Sequence, residues 1–245
     1  MRTIGLSNTP VHPELDYSAF CQCANQCSGN FYEFIPQSSS RLVVSVGDLP
    51  ATGHASCLNI PGLQALIRGL TAGSRGDLAG LARDLNGTLY LLGPEDHFAS
   101  WFYALVDPVR HELQYVNAGH EPPFLIHKRT GRVQRLERTG AALGLSTRGT
   151  YQHETTAMEP GDLLVVFSEG VAATLSDAAV VEIVLRHPDA GAAELTRMVF
   201  EEATQSANRP WLDEDRTFAA VRLLEANRQP LPHEFAQVGE LVCAA

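Results

Sequence analysis

The sequence predicts an α+β fold in which two stacked antiparallel sheets are flanked by helix pairs. Three observations support this prediction. A segment of two helices interrupts the strands between about residues 52 and 92. Several short strands separated by turns follow this segment, and two more helices precede a closing strand. Because strands and helices occur in blocks, sheets packed face to face with helices outside are favoured.

The same pattern predicts a single domain over residues 19–224. Residues 1–18 are mixed and contain proline, so we expect a loosely attached lead-in there. Residues 225–245 follow the closing strand and are expected to form a C-terminal tail. The sequence shows no internal repeat and no low-complexity block that would indicate a second unit.

The individual elements follow from periodicity and turn residues. Residues 19–35 and 41–46 are expected to form a strand pair across turn residues 36–40, and the second, apolar strand leads into Gly47-Asp48. Helical spacing then places Leu63, Ile67 and Leu70 on one face, with Pro61 marking an interruption or a restart. A second helix is expected at 77–92. Further strands are predicted at 98–106, 113–117, 123–127, 133–136, 151–158, 163–168 and 218–224, and helices at 178–186 and 192–206.

Charge and composition exclude several function classes. The 245-residue chain carries 18 Lys and Arg against 28 Asp and Glu, a formal net charge of −10. Such an acidic chain is not expected to bind nucleic acid or an anionic membrane. Its apolar runs are far shorter than the roughly 20 residues of a membrane span. The N-terminus has no apolar signal-peptide core, and five cysteines are expected to be reduced thiols. We therefore expect a cytoplasmic protein.

Acidic side chains occur where strands end. Asp48 follows one apolar strand, Glu169 follows another, and Glu214 and Asp215 directly precede the closing strand. Asn30 lies at the start of an aromatic strand. Oxygen ligands from remote segments commonly assemble a Mg²⁺ or Mn²⁺ site in this way. Carboxylates that only cap turns would give the same local pattern at any one of these positions.

Two other groups of residues have competing interpretations. Cys21-x-Cys23-x₃-Cys27 suggests zinc, but the spacing is unusual and no histidine is paired with it, which favours small packing residues. His120 could act as a general acid, although a histidine in a turn between strands more often holds backbone groups by hydrogen bonds. We expect the structural role in both cases.

The order of short motifs points to a known family. The segments are SGNFYE (28–33), GDLPATGH (47–54), DP (107–108), NAGHEPP (117–123), ALG (142–144), EPGD (159–162), FSEG (167–170) and EDRT (214–217). In order and spacing they resemble the SpoIIE-like branch of the PPM metal-dependent serine/threonine phosphatases. The resemblance covers roughly residues 20–224 and implies the PPM α/β/β/α sandwich.

The resemblance also implies a site for one or two divalent cations, Mn²⁺ or Mg²⁺. Carried onto this chain, the metal positions are Asn30, Asp48 with the Leu49 carbonyl, Glu169 and Glu214. Asp48 is the one carboxylate that matches the family pattern unchanged, and it would bridge the ions. Asn30 lacks a charge, while Glu169 and Glu214 place theirs on a longer side chain.

Neighbouring carboxylates extend this set. Asp213 or Asp215 could supply the ligand expected at Glu214, because the three acids are consecutive. The family reaction is attack of a metal-activated water on a phosphoserine or phosphothreonine phosphorus, with Asp48 and Glu169 as the central catalytic positions.

Two functions remain open on the sequence. The first is a divalent-cation-dependent phosphoserine/phosphothreonine phosphatase that acts on a phosphorylated bacterial regulator, such as an anti-sigma-factor antagonist in a partner-switching pathway. The second is a pseudophosphatase that keeps the fold and a substrate-docking helix pair at about residues 52–92 but not turnover. Asp48 and its acidic neighbours favour the enzyme. Asn30, Glu169 and the altered segment at 50–55 favour the binding module.

Overall fold

Two five-stranded antiparallel sheets form the centre of the molecule. The computed structural model describes residues 12–24, 28–49, 54–74, 76–92, 98–206 and 214–225. The strands are β1 (Leu15–Gln22), β2 (Asn30–Pro36), β3 (Leu42–Asp48), β4 (Ser100–Asp107), β5 (Glu112–Ala118), β6 (Phe124–Ile126), β7 (Val133–Arg135), β8 (Glu154–Ala157), β9 (Leu163–Phe167) and β10 (Arg216–Leu223). The helices are α1 (His54–Gly73), α2 (Leu78–Leu92), α3 (Glu169–Ala172), α4 (Asp177–Arg186) and α5 (Ala192–Ser206).

The strands divide between the sheets without regard to their order in the chain. One sheet has the order β1-β10-β9-β6-β7, and the other has the order β2-β3-β4-β5-β8. The first strand and the last strand of the domain are therefore neighbours, with Leu15 opposite Leu223 and Gln22 opposite Arg216.

Apolar side chains fill three layers. Alternating residues of both sheets, such as Val44, Phe102 and Leu164, form the core between them. A second cluster packs α1 and α2 against the outer face of the β2–β8 sheet, and a third packs α3, α4 and α5 against the β1–β7 sheet. This arrangement confirms the predicted α+β fold of two stacked antiparallel sheets with helices outside.

The predicted strand pair across residues 36–40 is confirmed for β2 and β3, but residues 19–35 contain parts of two strands, β1 and β2. Strand β1 pairs with β10 and strand β2 pairs with β3, so the two strands belong to different sheets. Strand β1 also begins inside the expected lead-in, because Leu15 and Tyr17 are fully buried and point into the core between the sheets. Local periodicity detects a strand but carries no information about a partner some 200 residues away in the chain.

The outer helices α1 and α2 correspond to the predicted helical segment. Helix α1 continues through Pro61. The helix is therefore neither interrupted nor restarted at this proline. None of the helices in the described part of the chain is both long and apolar enough to cross a membrane. The predicted tail lies almost entirely outside the described residues, which end at Glu225.

Two polar contacts attach α1 to the sheet beneath it. The Arg68 guanidinium donates to the carboxylate of Glu33, which is 2% exposed, across 2.7 Å. Burial raises the pKa of Glu33, and the hydrogen bond and positive charge of Arg68 oppose that rise. One helical turn along, the hydroxyls of Thr71 and Tyr103 lie 3.0 Å apart. Because a buried acid needs its charged partner, this pair favours one position of α1 on the sheet over others.

The sandwich core makes a matched pair of leucine truncations informative. Leu164 is fully buried between the sheets, whereas Leu91 on α2 is 76% exposed. We expect Leu164→Ala to lower the free energy of unfolding by about 2–5 kcal/mol, because it removes buried methyl groups and leaves a cavity. Leu91→Ala should change it by less than about 0.5 kcal/mol. Denaturant unfolding of both variants measures the difference, and equal effects would contradict the assigned core.

Candidate metal centre

The site lies where the pairing of β2 with β3 ends. The register places Asn30 opposite Asp48, so these two sequence-predicted residues face each other across adjacent strands. Beyond the pair, the Leu49 amide donates to the Gly29 carbonyl across 3.0 Å. The ladder therefore continues one step past the strands and fixes the backbone around Asp48.

Glycine is required at position 29 by a close backbone approach. A Cβ atom built on Gly29 would lie 2.0 Å from the carbonyl oxygen of Leu49, well inside van der Waals contact. This is the carbonyl that the family resemblance assigns to a cation. Any side chain at position 29 would displace it.

Asp215 joins three segments that are far apart in the sequence. Its Oδ1 accepts a hydrogen bond from the Ala24 amide (2.6 Å), and its Oδ2 accepts one from the Gly29 amide (2.8 Å). Its backbone carbonyl accepts from Asn30 Nδ2 (3.2 Å) and from Ser168 Oγ (3.3 Å). We call the two carboxylate contacts, to Ala24 and Gly29, the Asp215 clamp.

Strands β9 and β10 are joined at the same end. The Thr217 amide donates to Ser168 Oγ and the Ser168 amide donates to the Thr217 carbonyl, each across 2.9 Å. A Cβ atom on Gly170 would lie 2.1 Å from the Asp215 carbonyl oxygen, so the start of α3 approaches β10 through glycine. These contacts bring Glu169, the exposed first residue of α3, to the edge of the site.

The electrostatics show that the predicted acids share one neighbourhood. Burial raises the pKa of Asp48 to about 7, and the charges of Asp215, Glu214 and Glu169 add to the rise in that order. We call these four residues the acidic cluster. A carboxyl raised this far by its neighbours indicates negative charge that a divalent cation would relieve.

Asn30 has a structural task besides any ligand role. It is 5% exposed, and its Nδ2 donates both to the Asp215 carbonyl and to Thr217 Oγ1, the latter across 3.0 Å. The amide thereby links β2 of one sheet to β10 of the other. Only its Oδ1 atom remains to face a cation.

The structure thus gathers Asn30, Asp48, Glu169, Glu214 and Asp215 at one end of the sandwich. Within the described ranges, however, no three His, Cys, Asp or Glu side chains converge closely enough to hold an ion between them. The oxygen donors and their excess charge suit Mn²⁺ or Mg²⁺, and the ligand assignments stay predictions. The alternative ligand Asp213 lies outside the described residues.

Sequence reasoning missed the residues that assemble the site. Ser168, Thr217 and Gly29 make the hydrogen bonds and close contacts that align the strand ends. Gly29 and Ser168 are small residues directly beside a predicted ligand, and Thr217 closes the EDRT motif at 214–217, so position in the sequence was the available signal. Asp215 was predicted as a substitute ligand, whereas both of its carboxylate oxygens accept backbone amides.

His120 has the structural role expected of it. The side chain is 1% exposed, and burial lowers its pKa to about 4. Its Nδ1 lies 2.9 Å from the Glu121 carbonyl, and its backbone amide donates to Asn117 Oδ1 across 2.9 Å. The imidazole therefore stabilises the turn in its neutral form.

Comparison with known proteins identifies relatives of this arrangement. Residues 38–224 match the protein family described as Stage II sporulation protein E (SpoIIE). The phosphoserine phosphatase RsbU of Bacillus subtilis (strain 168) is 27% identical over 165 residues, which cover 67% of this chain and 49% of RsbU. The chain thus spans about half the length of that relative.

Solved structures show the same fold. The PP2C phosphatase domain of SpoIIE from Bacillus subtilis, solved with a fragment of its regulatory domain, superposes with a TM-score of 0.73 at 13% identity, covering 88% of this chain and 64% of that one. The catalytic domain of the serine/threonine phosphatase PstP of Mycobacterium tuberculosis, in complex with two manganese ions, superposes with a TM-score of 0.66 at 15% identity. That match covers 86% of this chain and 99% of the PstP chain.

The raised pKa of Asp48 predicts a pH dependence of stability in the absence of divalent cations. Between its ordinary pKa of 3.8 and about 7, Asp48 holds a proton in the folded state that it has lost in the unfolded state. Its contribution to the free energy of unfolding therefore falls as pH rises through this range. Asp48→Asn should remove that part of the slope. Thermal unfolding between about pH 4 and pH 8 with a chelator measures it.

The control is Asp84→Asn, a change of the same kind at an exposed position on α2. Asp84→Asn should retain the wild-type dependence of the free energy of unfolding on pH. Identical slopes for all three proteins would contradict the assigned environment of Asp48.

The Asp215 clamp predicts a cost for truncating that side chain. Asp215→Ala leaves the amides of Ala24 and Gly29 without their acceptor, so we expect a loss of about 1–3 kcal/mol in the free energy of unfolding. Asp84→Ala should cost less than about 0.5 kcal/mol. Denaturant titration without divalent cations compares them. A negligible effect at position 215 would mean that the clamp contributes nothing to the fold.

Proposed function

Because the chain belongs to the SpoIIE family, we propose that it is a divalent-cation-dependent phosphoserine/phosphothreonine protein phosphatase. The observation that carries the proposal is the acidic cluster, assembled from three remote segments at one end of the sandwich. A structural role alone does not explain why the charges of Asp215, Glu214 and Glu169 all act on Asp48. Like charges around the partly buried Asp48 carboxyl destabilise the fold unless a cation compensates them.

We assign the cation to Asp48, the Leu49 carbonyl, Glu169 and Glu214, with Asn30 contributing through Oδ1. A bound Mn²⁺ or Mg²⁺ lowers the pKa of a water molecule and neutralises charge on phosphoryl oxygens. The chain's own contribution is to align the oxygen donors. The Gly29–Leu49 contact positions the carbonyl, and the Asp215 clamp holds the segments on which the cluster depends.

The substitutions favour Mn²⁺ over Mg²⁺ and a weakened site. An amide at position 30 removes one charge near the ion, and at an effective dielectric of about 20 a charge about 4 Å away is worth about 4 kcal/mol before desolvation. Glu169 restores charge on a longer and less rigid side chain, which near-octahedral Mg²⁺ tolerates poorly. Mn²⁺ is less strict about geometry.

For the substrate we propose a phosphorylated regulatory protein. RsbU is named a phosphoserine phosphatase, which supports phosphoserine as the reacting group. A partner-switching regulator such as an anti-sigma-factor antagonist fits the family, and the net charge of −10 argues against a polyanionic partner. Helices α1 and α2, exposed on the outer face of the sheet that carries Asp48, are the surface on which we place docking of that protein.

A second candidate, a phosphoprotein-binding pseudophosphatase, is favoured by one observation. The Asn30 side chain donates both of its amide hydrogen bonds within the protein, to the Asp215 carbonyl and to Thr217 Oγ1. An ionised aspartate at this position would accept but not donate, and it would face the Asp215 carbonyl oxygen. The site is therefore locally adapted to asparagine, as in a protein that retains the fold without turnover.

Restoring the family carboxylates decides between the two functions. We expect the wild-type protein to hydrolyse p-nitrophenyl phosphate or a phosphoserine peptide slowly, and faster with Mn²⁺ than with Mg²⁺. Asn30→Asp combined with Glu169→Asp should raise the rate, because it returns a charge and shortens a ligand. Asp48→Ala should abolish both activity and Mn²⁺ binding, measured by phosphate release and calorimetry.

The controls separate a failed site from a failed fold. Asn30→Asp without a cation should lower thermal stability, since it replaces two donated hydrogen bonds, and Mn²⁺ should restore it. An inert wild type with an active restored variant would establish the pseudophosphatase. If both are inert in millimolar Mn²⁺ while folded, the ligand assignment fails.

A further inference from the structure

Two thiols lie beside the metal centre and have no part in the proposed reaction. Cys21 is near the end of β1, opposite Thr217 of β10, and Cys23 follows directly after the strand. Both are free and partly exposed. Cys21 Sγ lies 3.5 Å from Ser28 Oγ, and the two cysteines are two residues apart, a spacing that places both side chains on the same side of an extended chain.

The chain that follows these thiols is held by the Asp215 clamp. Cys23 is followed by Ala24, whose amide donates to Asp215 Oδ1 across 2.6 Å. Ser28, which contacts Cys21, is followed by Gly29, whose amide donates to Asp215 Oδ2 across 2.8 Å. Ala24 and Ser28 thus connect the cysteine pair to the two amides that Asp215 holds.

We propose that Cys21 and Cys23 form a reversible disulfide under mild oxidation, and that this bond releases Ala24 from the Asp215 clamp. The consequence for catalysis, a lower phosphatase activity in the oxidised protein, rests on the proposed function. The disulfide and the released amide do not.

The chemistry needs a hydroperoxide as the oxidant. The Cys23 thiolate attacks the peroxide oxygen, which yields a sulfenic acid and, after protonation of the leaving oxygen, an alcohol or water. The Cys21 thiol then attacks Cys23 Sγ, the S–S bond forms, and the sulfenic oxygen leaves as water. Two thiols are oxidised by two electrons while one peroxide bond is reduced.

The environment supports Cys23 as the thiol that reacts first. Its pKa is lowered to about 7, chiefly because the Cys21 thiol hydrogen-bonds to it. The pKa of Cys21 is raised well above its ordinary value by that same contact and by burial. A partly exposed thiol with a lowered pKa is the kind that peroxides oxidise, and its neighbour is placed to resolve the sulfenic acid.

Backbone geometry explains why the bond would disturb the clamp. Two residues of an extended strand rise about 6.6 Å, which is near the upper limit of the Cα separation that a disulfide accepts. Closing the bridge draws Cys21 and Cys23 together and bends the chain after Gln22. The Ala24 amide, next in the chain, then moves away from Asp215 Oδ1.

The test uses the full chain, treated with dilute hydrogen peroxide and then with dithiothreitol. Residues 3–41 contain a single arginine, at the C-terminal end, and no lysine, so trypsin releases Cys21, Cys23 and Cys27 in one peptide. Mass mapping of the wild type and of the Cys27→Ser and Cys23→Ser variants locates the bridge. Hydrogen exchange of the Ala24 amide, measured in parallel, reports on the clamp.

We expect a Cys21–Cys23 bridge in the wild type and in Cys27→Ser, no bridge in Cys23→Ser, and full reversal by dithiothreitol. Oxidation should raise exchange of the Ala24 amide at least about tenfold, which corresponds to about 1.4 kcal/mol. A bridge that includes Cys27, or unchanged exchange at Ala24 in the bridged protein, would overturn the inference. If the bridge forms and Ala24 is released but neither redox form hydrolyses a phosphoserine peptide, the proposed function fails and this inference stands.

Discussion

The hydrogen bonds of Asp215 are the interaction on which the site depends. One residue uses its two carboxylate oxygens to hold the amides of Ala24 and Gly29, and its backbone carbonyl to hold Asn30 and Ser168. Charge-assisted bonds to backbone amides are among the stronger polar contacts in proteins. The ends of β1, β2, β9 and β10 consequently meet at one point, although they come from opposite ends of the chain.

The cost of this arrangement is electrostatic. Holding the strand ends together also brings Asp48, Glu169, Glu214 and Asp215 together, and burial of Asp48 weakens the screening of its charge by water. Packing stabilises this end of the fold, whereas charge repulsion destabilises it. The three apolar layers of the sandwich offset the repulsion. Such local conflicts between fold and charge are typical of functional sites.

The sequence predicts most of the strands and helices, but it does not predict the partner of β1 or the hydrogen bonds of Asp215. Periodicity located nearly every strand and helix, because alternating and helical burial are local properties. Strand partners are not local: nothing in residues 15–22 indicates that β1 pairs with β10, some 200 residues further along the chain. The acids at strand ends were recognisable from motif order, but the binding of two backbone amides by Asp215 was not. Whether a carboxylate binds a cation or two amides depends on which backbone groups the fold places beside it.

The adjacency of β1 and β10 also constrains how the protein is made. Strand β10 lies between β1 and β9, so the sheet that they share stays incomplete until residues 216–223 have left the ribosome. At a synthesis rate of about 5–20 residues per second, β1 waits on the order of ten seconds or more for its partner. During that interval its apolar edge is open to other chains. The nascent protein therefore emerges with its acidic site unformed, and the same late strand that closes the sheet delivers Asp215.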